Sequence, residues 1–277
     1  MDKEPLDSEE RTGVFTSGIV STKENRKIAL FFTGRRHAWE NLAEVLKVRA
    51  AELETPIQMC DALSRNMPEE LRTIVSNCIA HSRRKFVDVV ESFPSQCRYV
   101  IETLGKVYEI EATARKEELS AQARLELHRR HSGPLMEALH RWLKRQIEEK
   151  RVEPNSGLGG AITYARNHWE KLTRFLEVPG APLDNNICER ALKKAILHRK
   201  GSLFYKTQNG ARVGDTFMSL IYTCQLQGVD PFDYLNALQS HAEALAEKPK
   251  EWMPWSYKET LARLEPSRPA RGDEPRR

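Results

Sequence analysis

Residues 181–200, APLDNNICERALKKAILHRK, join a proline, an acid and two asparagines to a lone Glu-Arg, and then to basic side chains at every third or fourth position. At about 100° per residue, Ile187, Cys188, Ala191, Leu192, Ala195 and Ile196 cover one side of a helix. Asn186, Glu189, Arg190, Lys193 and Lys194 cover the other side. The pattern predicts a helix over 183–198. Asp184 or Asn185 is expected to cap its first turn, because a short side-chain oxygen accepts an orphan backbone N–H there. Glu189 stands four residues before Lys193, the stabilising order for an ion pair on a helix. Read locally, this is a solvated helix face carrying one weak pair.

The chain has 277 residues, enough for one large domain or two small ones. Hydrophobic residues make up 40% and charged residues 30%, a soluble globular composition. Apolar runs such as IALFF are far too short to span a bilayer, so no membrane partner is expected. The opening MDKEPLDSEER is polar and acidic, which argues against a secretory signal and for a cytoplasmic location. Five cysteines at 60, 78, 97, 188 and 224 form no CxxC pair and suit a reducing compartment. The net charge of +5 is too mild to demand nucleic acid by itself, so local basic clusters matter more.

Along the chain, GVFTSGIVS and KIALFFTG read as two strands joined into a hairpin by STKENR. RHAWENLAEVLKVRAAEL has helical periodicity. PIQMC is a short apolar run whose C-terminal end would present Asp61. PEELRTIV reads as a short helix started by proline, and NCIAHS as a short strand or the beginning of the next helix. From about residue 83 the three- and four-residue apolar spacing persists through RRKFVDVVESF, RYVIETLGKVYEIEATARKEEL, AQARLELHRRH and GPLMEALHRWLKRQIEEKR. EPNSGLGG is a breaker, and AITYARNHWEKLTRFLEV a further amphipathic helix. After the opening stretch, GSLFYKTQNGARVGD could hold a short extended piece. TFMSLIYTCQLQ reads as a helix stopped by Gly228, and Asp230 and Pro231 as the N-cap and first residue of another. Strands segregate from helices, so the fold class is α+β.

IQMCDALSRN, NCIAHSRRKF, HWEKLTRFLEVPGAPLDNNICERALKKAILHRK, SLFYKTQNGARVGD, MSLIYTCQLQGVDPFDYL and EWMPW, in this order, resemble the transposases of the insertion-sequence-sixty-six family over residues 12–262. The LDNNxxER block is the most specific element. The resemblance implies an Asp-Asp-Glu transposase with a ribonuclease-H-like core, interrupted by a large all-helical insertion and followed by a helical C-terminal region. The implied organisation is a disordered N-terminus (1–12), the first part of the core (13–82), the helical insertion (83–180), the second part of the core with the glutamate helix (181–262) and a disordered tail (263–277).

The resemblance also implies roles. Asp61 matches the second aspartate and Glu189 the glutamate of the catalytic set. Both are catalytic residues and ligands of Mg²⁺ (or Mn²⁺), though they lie 128 positions apart in the chain. Two-metal nucleotidyl transfer needs such carboxylates to converge, holding ions about 3.5–4 Å apart. His81, Arg83, Arg84 and Lys85, and Arg190, Lys193, Lys194, His198, Arg199 and Lys200, are the candidate contacts to DNA phosphates, both of transposon ends and of target. The family's first aspartate lies on the first core strand, before the hairpin, and both strand and aspartate are expected to be missing here, so that the core is incomplete. Asp2 and Asp7 do not follow an apolar run. The chain is therefore expected to be the C-terminal part of a transposase, catalytically incomplete and inactive alone. The alternative is a non-catalytic DNA-binding or assembly module that regulates intact transposase, as a homo-oligomer or together with it.

Rival motifs are weaker. Cys78 and His81 have C-x₂-H spacing but no second pair nearby in sequence. GLGG at 157–160 lacks the Lys-Ser/Thr of a phosphate loop. Five tryptophans are expected to serve mainly in packing, with base stacking as the alternative for one of them.

Overall fold

The β1–β2 hairpin shows how this sequence solves an edge problem. Strands β1 (Phe15–Lys23) and β2 (Arg26–Gly34) pair antiparallel from Phe15↔Gly34 to Lys23↔Arg26. The two-residue turn places Glu24 at a positive φ of 54°. A lone hairpin would leave a row of unpaired backbone groups along β2. Helix α8 (Gln208–Leu226) and the residue just after it cover that row. Gln227 Nε2 donates to the carbonyl of Lys27 at 3.2 Å, Ala29 N–H to Thr223 Oγ1 at 3.1 Å, and Phe31 N–H to Ser219 Oγ at 3.0 Å; Thr33 N–H donates to Asp215 Oδ2. Every second strand residue meets every fourth helix residue, because two strand residues rise about 6.8 Å and four helix residues about 6.0 Å.

The computed structural model describes residues 14–62 and 72–264. They fall into two compact units, one comprising residues up to Asn41 and from Ile187 onward, the other Leu42–Asn186. The first unit holds the hairpin, most of α7 (Asn186–Gly201), α8, α9 (Pro231–Ser240), α10 (Ala242–Glu247) and α11 (Tyr257–Leu264). Ala29, Phe31, Ala191, Ala195 and Tyr222 form one core there. Cys224, Tyr234, Ala237, Trp252 and Tyr257 form a second. Gly228 ends α8 at φ 67°, as the sequence predicts. Asp230 caps α9 by accepting from Phe232 N–H (2.8 Å) and Asp233 N–H (3.0 Å), with Pro231 at the first helical position.

The second unit holds β3 (Ile57–Cys60) and β4 (Ile74–Asn77), paired parallel from Ile57↔Ile74 to Cys60↔Asn77. It also holds α2 (Ile79–Val87), α3 (Pro94–Lys116), α4 (Ala121–Glu148), α5 (Gly157–Asn167) and α6 (Trp169–Leu172). Helix α1 (Ala38–Lys47) contains the boundary between the units. The core of this unit is built on Ile79, Phe86, Val100, Leu104, Leu139, Leu143, Leu158 and Ile162.

The architecture is α+β and mostly helical, with two two-stranded sheets among the described residues. Several local expectations need correction. Ile74 and Val75, read as the end of a proline-started helix, lie in β4; their β-branched side chains suit the pleated ladder. Pro68–Leu71 of that stretch lies outside the described residues, as do Asp2, Asp7, residues 1–12 and nearly all of the C-terminal tail. The two segments on either side of Gly133-Pro134 form one helix, α4, with Pro134 inside it. GLGG, read as part of a breaker, forms the first turn of α5, and the stretch from Gly157 onward divides at His168 into α5, α6 and a 3₁₀ turn at Arg174–Leu176. The extended piece proposed after Gly201 is a 3₁₀ turn, Leu203–Lys206. Thr207 then caps α8 through its Oγ1 and Gly210 N–H at 3.1 Å. Helix α7 starts at Asn186, three residues later than its apolar pattern suggests.

Candidate metal and DNA site

Asp61 directly follows β3, and Cys78 directly follows the parallel neighbour β4. Parallel strands send their C-terminal ends to one side, where open α/β sheets commonly bind ligands. Cys78 N–H donates to the carbonyl of Cys60 at 3.1 Å, prolonging the ladder by one residue. Helix α2 then starts at Ile79. The segment leading to α7 is tied to the same place: Ile79 N–H donates to Leu183 O at 3.0 Å, and Asn185 N–H to Cys78 Sγ at 3.4 Å. Asp184, between them, accepts the Asn186 N–H at 3.0 Å. This is an Asx turn leading into α7, one residue ahead of the N-cap position at Asn185.

The electrostatics of this cluster follow from its half-buried acids. Burial, with the adjacent Asp61 carboxylate, pushes the Cys60 thiol up to about 11. Burial and Asp61 also push the Tyr164 hydroxyl upward. The Tyr108 hydroxyl is raised strongly by burial and by Asp184, while Arg83 pulls it back. Asp61 thus acts on Cys60 and Tyr164, and Asp184 on Tyr108. On α2, His81 is half-buried, and Arg83, Arg84 and Lys85 are exposed. The Lys85 ammonium lies 5.6 Å above the Tyr164 ring. Cys78 Sγ and a ring nitrogen of His81 lie within 4.8 Å of each other.

Glu189 lies in the first turn of α7 and is half-buried, with one carboxylate oxygen sealed from solvent. Ala191 and Ala195 are fully buried, on the apolar side read from the sequence. Cys188 Sγ donates to the carbonyl of Gly18 at 3.2 Å, and Leu192 packs within 3.6 Å of where a Gly18 side chain would begin. Arg190, Lys193 and Lys200 are exposed on the opposite face, whereas the exposed His198 ring meets Phe204 and Tyr205 edge-on at 6.1 and 5.8 Å. The remaining two basic candidates have structural partners. Lys194 Nζ bonds Gln225 Oε1 at 3.1 Å and sits 5.2 Å above the Tyr222 ring. Arg199 Nη1 holds the Val14 carbonyl at 2.9 Å, where β1 begins. Asp61 belongs to one compact unit and Glu189 to the other.

Sequence reasoning missed three residues around these groups. From sequence, Asp184 is a candidate cap only, Tyr164 one residue of an amphipathic helix, and Cys60 the end of a short apolar run. The acid directly before two asparagines was a visible signal for the first. The other two carried none, since their grouping depends on which strand ends meet.

No helix among the described residues is long and apolar enough to cross a membrane. A family model described as "Transposase IS66 family" matches residues 19–213. Among curated proteins of Sinorhizobium fredii (strain NBRC 101917 / NGR234), the chain is 33% identical over 188 residues to the uncharacterized protein y4jD, covering 65% of this chain and 35% of that one. It is 33% identical over 187 residues to y4qI, covering 66% of this chain and 34% of the relative. It is 29% identical over 199 residues to y4hP, covering 67% and 35%. The chain thus spans about a third of the length of the curated relatives it matches. No solved structure matches it.

Proposed function

This chain belongs to the transposase IS66 family, and we propose that it carries the second and third acids of a DNA strand-transfer site, Asp61 and Glu189, on a ribonuclease-H-like framework. The observation that carries the reading is Asp61 at the C-terminal end of a parallel strand pair, with the basic helix α2 starting from the neighbouring strand end. The donor chemistry fits a hard cation: Asp61 and Glu189 are half-buried carboxylates, and Mg²⁺ takes few protein oxygens and keeps its waters. The thiol and imidazole of Cys78 and His81 are softer and suit Mg²⁺ poorly. Asp61 and Glu189 would hold Mg²⁺ (or Mn²⁺), which when bound activates the attacking oxygen and stabilises the leaving one.

The chain's own residues do the rest. Arg83, Arg84 and Lys85, with Arg190, Lys193 and Lys200, neutralise phosphates and draw the strand toward the acids. The substrate reading is DNA, first cut by water and then joined through its 3′-hydroxyl. These 277 residues offer two acids of the three that the family resemblance calls for, so the polypeptide alone is proposed to be inert in strand cleavage. An incomplete charge clamp costs orders of magnitude in rate. The second reading is a DNA-binding or assembly module acting with intact transposase, for which the exposed basic residues of α2 and α7 would serve equally. Mn²⁺ binding measured by paramagnetic resonance tests the first reading. Weak binding is expected in the chain and at least tenfold weaker binding in Asp61→Asn and in Glu189→Gln. A double variant that binds like the parent sinks it. Strand transfer by the unmodified chain would remove the claim of inertness.

A further inference from the structure

We propose that a cleft in the first unit, between Arg26 at the start of β2 and the segment running from Lys250 through α11, takes one unpaired nucleotide of DNA. The cleft has a volume of about 400 Å³ and is open to solvent, within the range of small-molecule sites. Its wall comes from the aromatic run around EWMPWSY. Trp252 is 1% exposed and Tyr257 3% exposed, both in the core. Tyr234 Oη donates to the Trp252 carbonyl at 2.7 Å, which pins the run. Trp255, three residues after Trp252, is not absorbed by that core. It is half-buried and lines the cleft, with the Arg26 guanidinium 5.4 Å above its ring.

The charges say which ligand fits. Arg26, Lys250 and Arg263 supply cations, and Glu251 and Glu259 supply carboxylates. Arg263 Nη2 bonds Glu251 Oε2 at 2.7 Å, which holds both ends of the cleft in place. A bare anion would meet two acids as well as three bases. A nucleotide satisfies both signs. Its phosphate takes the Lys and Arg donors. Its base donates exocyclic N–H groups to carboxylates and adds its flat face to the Arg–Trp stack. A base paired inside a duplex presents neither its face nor its pairing edge, so the ligand is an unpaired nucleotide. This inference rests on the DNA-processing reading of the chain and assigns it a second contact, for displaced or single-stranded DNA.

The test uses the 277-residue chain and two probes, a single-stranded oligonucleotide containing 2-aminopurine and a labelled duplex. Stacking on Trp255 is expected to quench the 2-aminopurine on binding. Trp255→Leu and Arg26→Gln are each expected to weaken single-strand binding about tenfold, the range measured for one lost base stack, and to abolish the quench while leaving duplex binding unchanged. Lys250→Gln, fully on the surface, is expected to reduce single-strand affinity without touching the fold. Bright 2-aminopurine in the bound parent, or variants that match the parent, overturns the cleft while duplex binding persists. No salt-sensitive binding of either probe overturns the DNA reading together with it.

Discussion

Asp215 on α8 accepts both hydrogen bonds that Thr33 of β2 can donate, the backbone N–H at Oδ2 and the hydroxyl at Oδ1, the latter at 2.8 Å. It is the end rung of the helix-to-strand ladder and 8% exposed. Burial raises its carboxyl, while the Thr33 bonds work to hold it ionised. Asp215→Ala removes the acceptor of both half-buried Thr33 donors, leaving the hydroxyl its contact with Thr16 Oγ1 at 3.1 Å and the backbone N–H orphaned, at a cost of about 1–3 kcal/mol. Urea denaturation is expected to show that loss for Asp215→Ala. Asp215→Asn keeps one acceptor oxygen and should lose less. Equal stability in all three proteins would remove α8 as the cover of the β2 edge.

Glu111 supplies a pH-dependent stability in the second unit. It is 4% exposed and meets His128 Nε2 at 3.0 Å, Arg124 Nε at 2.7 Å and Arg115 Nε at 2.8 Å. Burial pushes its carboxyl up, but the bonds from His128 and Arg124 outweigh burial and hold it at about 2, against an ordinary 4.5. A depressed carboxyl stabilises the fold above its unfolded value and loses that contribution as pH falls. The window therefore runs from about 4.5 down to about 2 and is worth on the order of 3 kcal/mol. The stability gap between the parent and Glu111→Gln should be widest above pH 5 and narrow through that window. A gap constant with pH would show that the carboxylate is not the source.

Gly159 and Gly160 are adjacent in the first turn of α5, yet should respond oppositely to alanine. A side chain on Gly159 would run into the backbone carbonyl oxygens of Glu153 and Pro154, which cannot swing aside. A side chain on Gly160 would meet nothing within 4 Å. Thermal melts are expected to show Gly159→Ala destabilised by about 1–3 kcal/mol or more and Gly160→Ala stabilised by up to about 1 kcal/mol. A stable Gly159→Ala would mean that the Ser156-capped turn, closed by Gly159 N–H at 3.0 Å, is not tight.

The basic residues of α7 should separate into two classes. Arg190→Gln and Lys193→Gln are expected to weaken duplex binding and to lower the slope of affinity against salt by about one each, with unchanged melting. Lys194→Ala and Arg199→Ala lose the Gln225 and Val14 partners and are expected to lower stability by about 0.5–1.5 kcal/mol. Titrations at several salt concentrations, beside melts, decide this. If all four variants shift the salt slope alike, the structural roles assigned to the last two are wrong.

What the chain states locally was legible without coordinates. The period of two in β1 and β2, the longer period in the helices, the Asp230-Pro231 start and the acid placed at the end of PIQMC each depend on neighbours within a few positions. Dihedral preference, capping and amphipathic spacing act over that range. The β4 assignment failed because IVSN is as short and apolar as many helix segments, and only the parallel partner Ile57–Cys60 decides it. Tertiary structure alone decided the rest. Residues near 30 meet residues near 220 in the β2–α8 ladder, and Glu111 meets Arg124 and His128 across two helices. Trp252 enters a core while Trp255 lines a cleft. These outcomes depend on which surfaces approach after long stretches of chain have closed, and a local pattern carries no term for that distance.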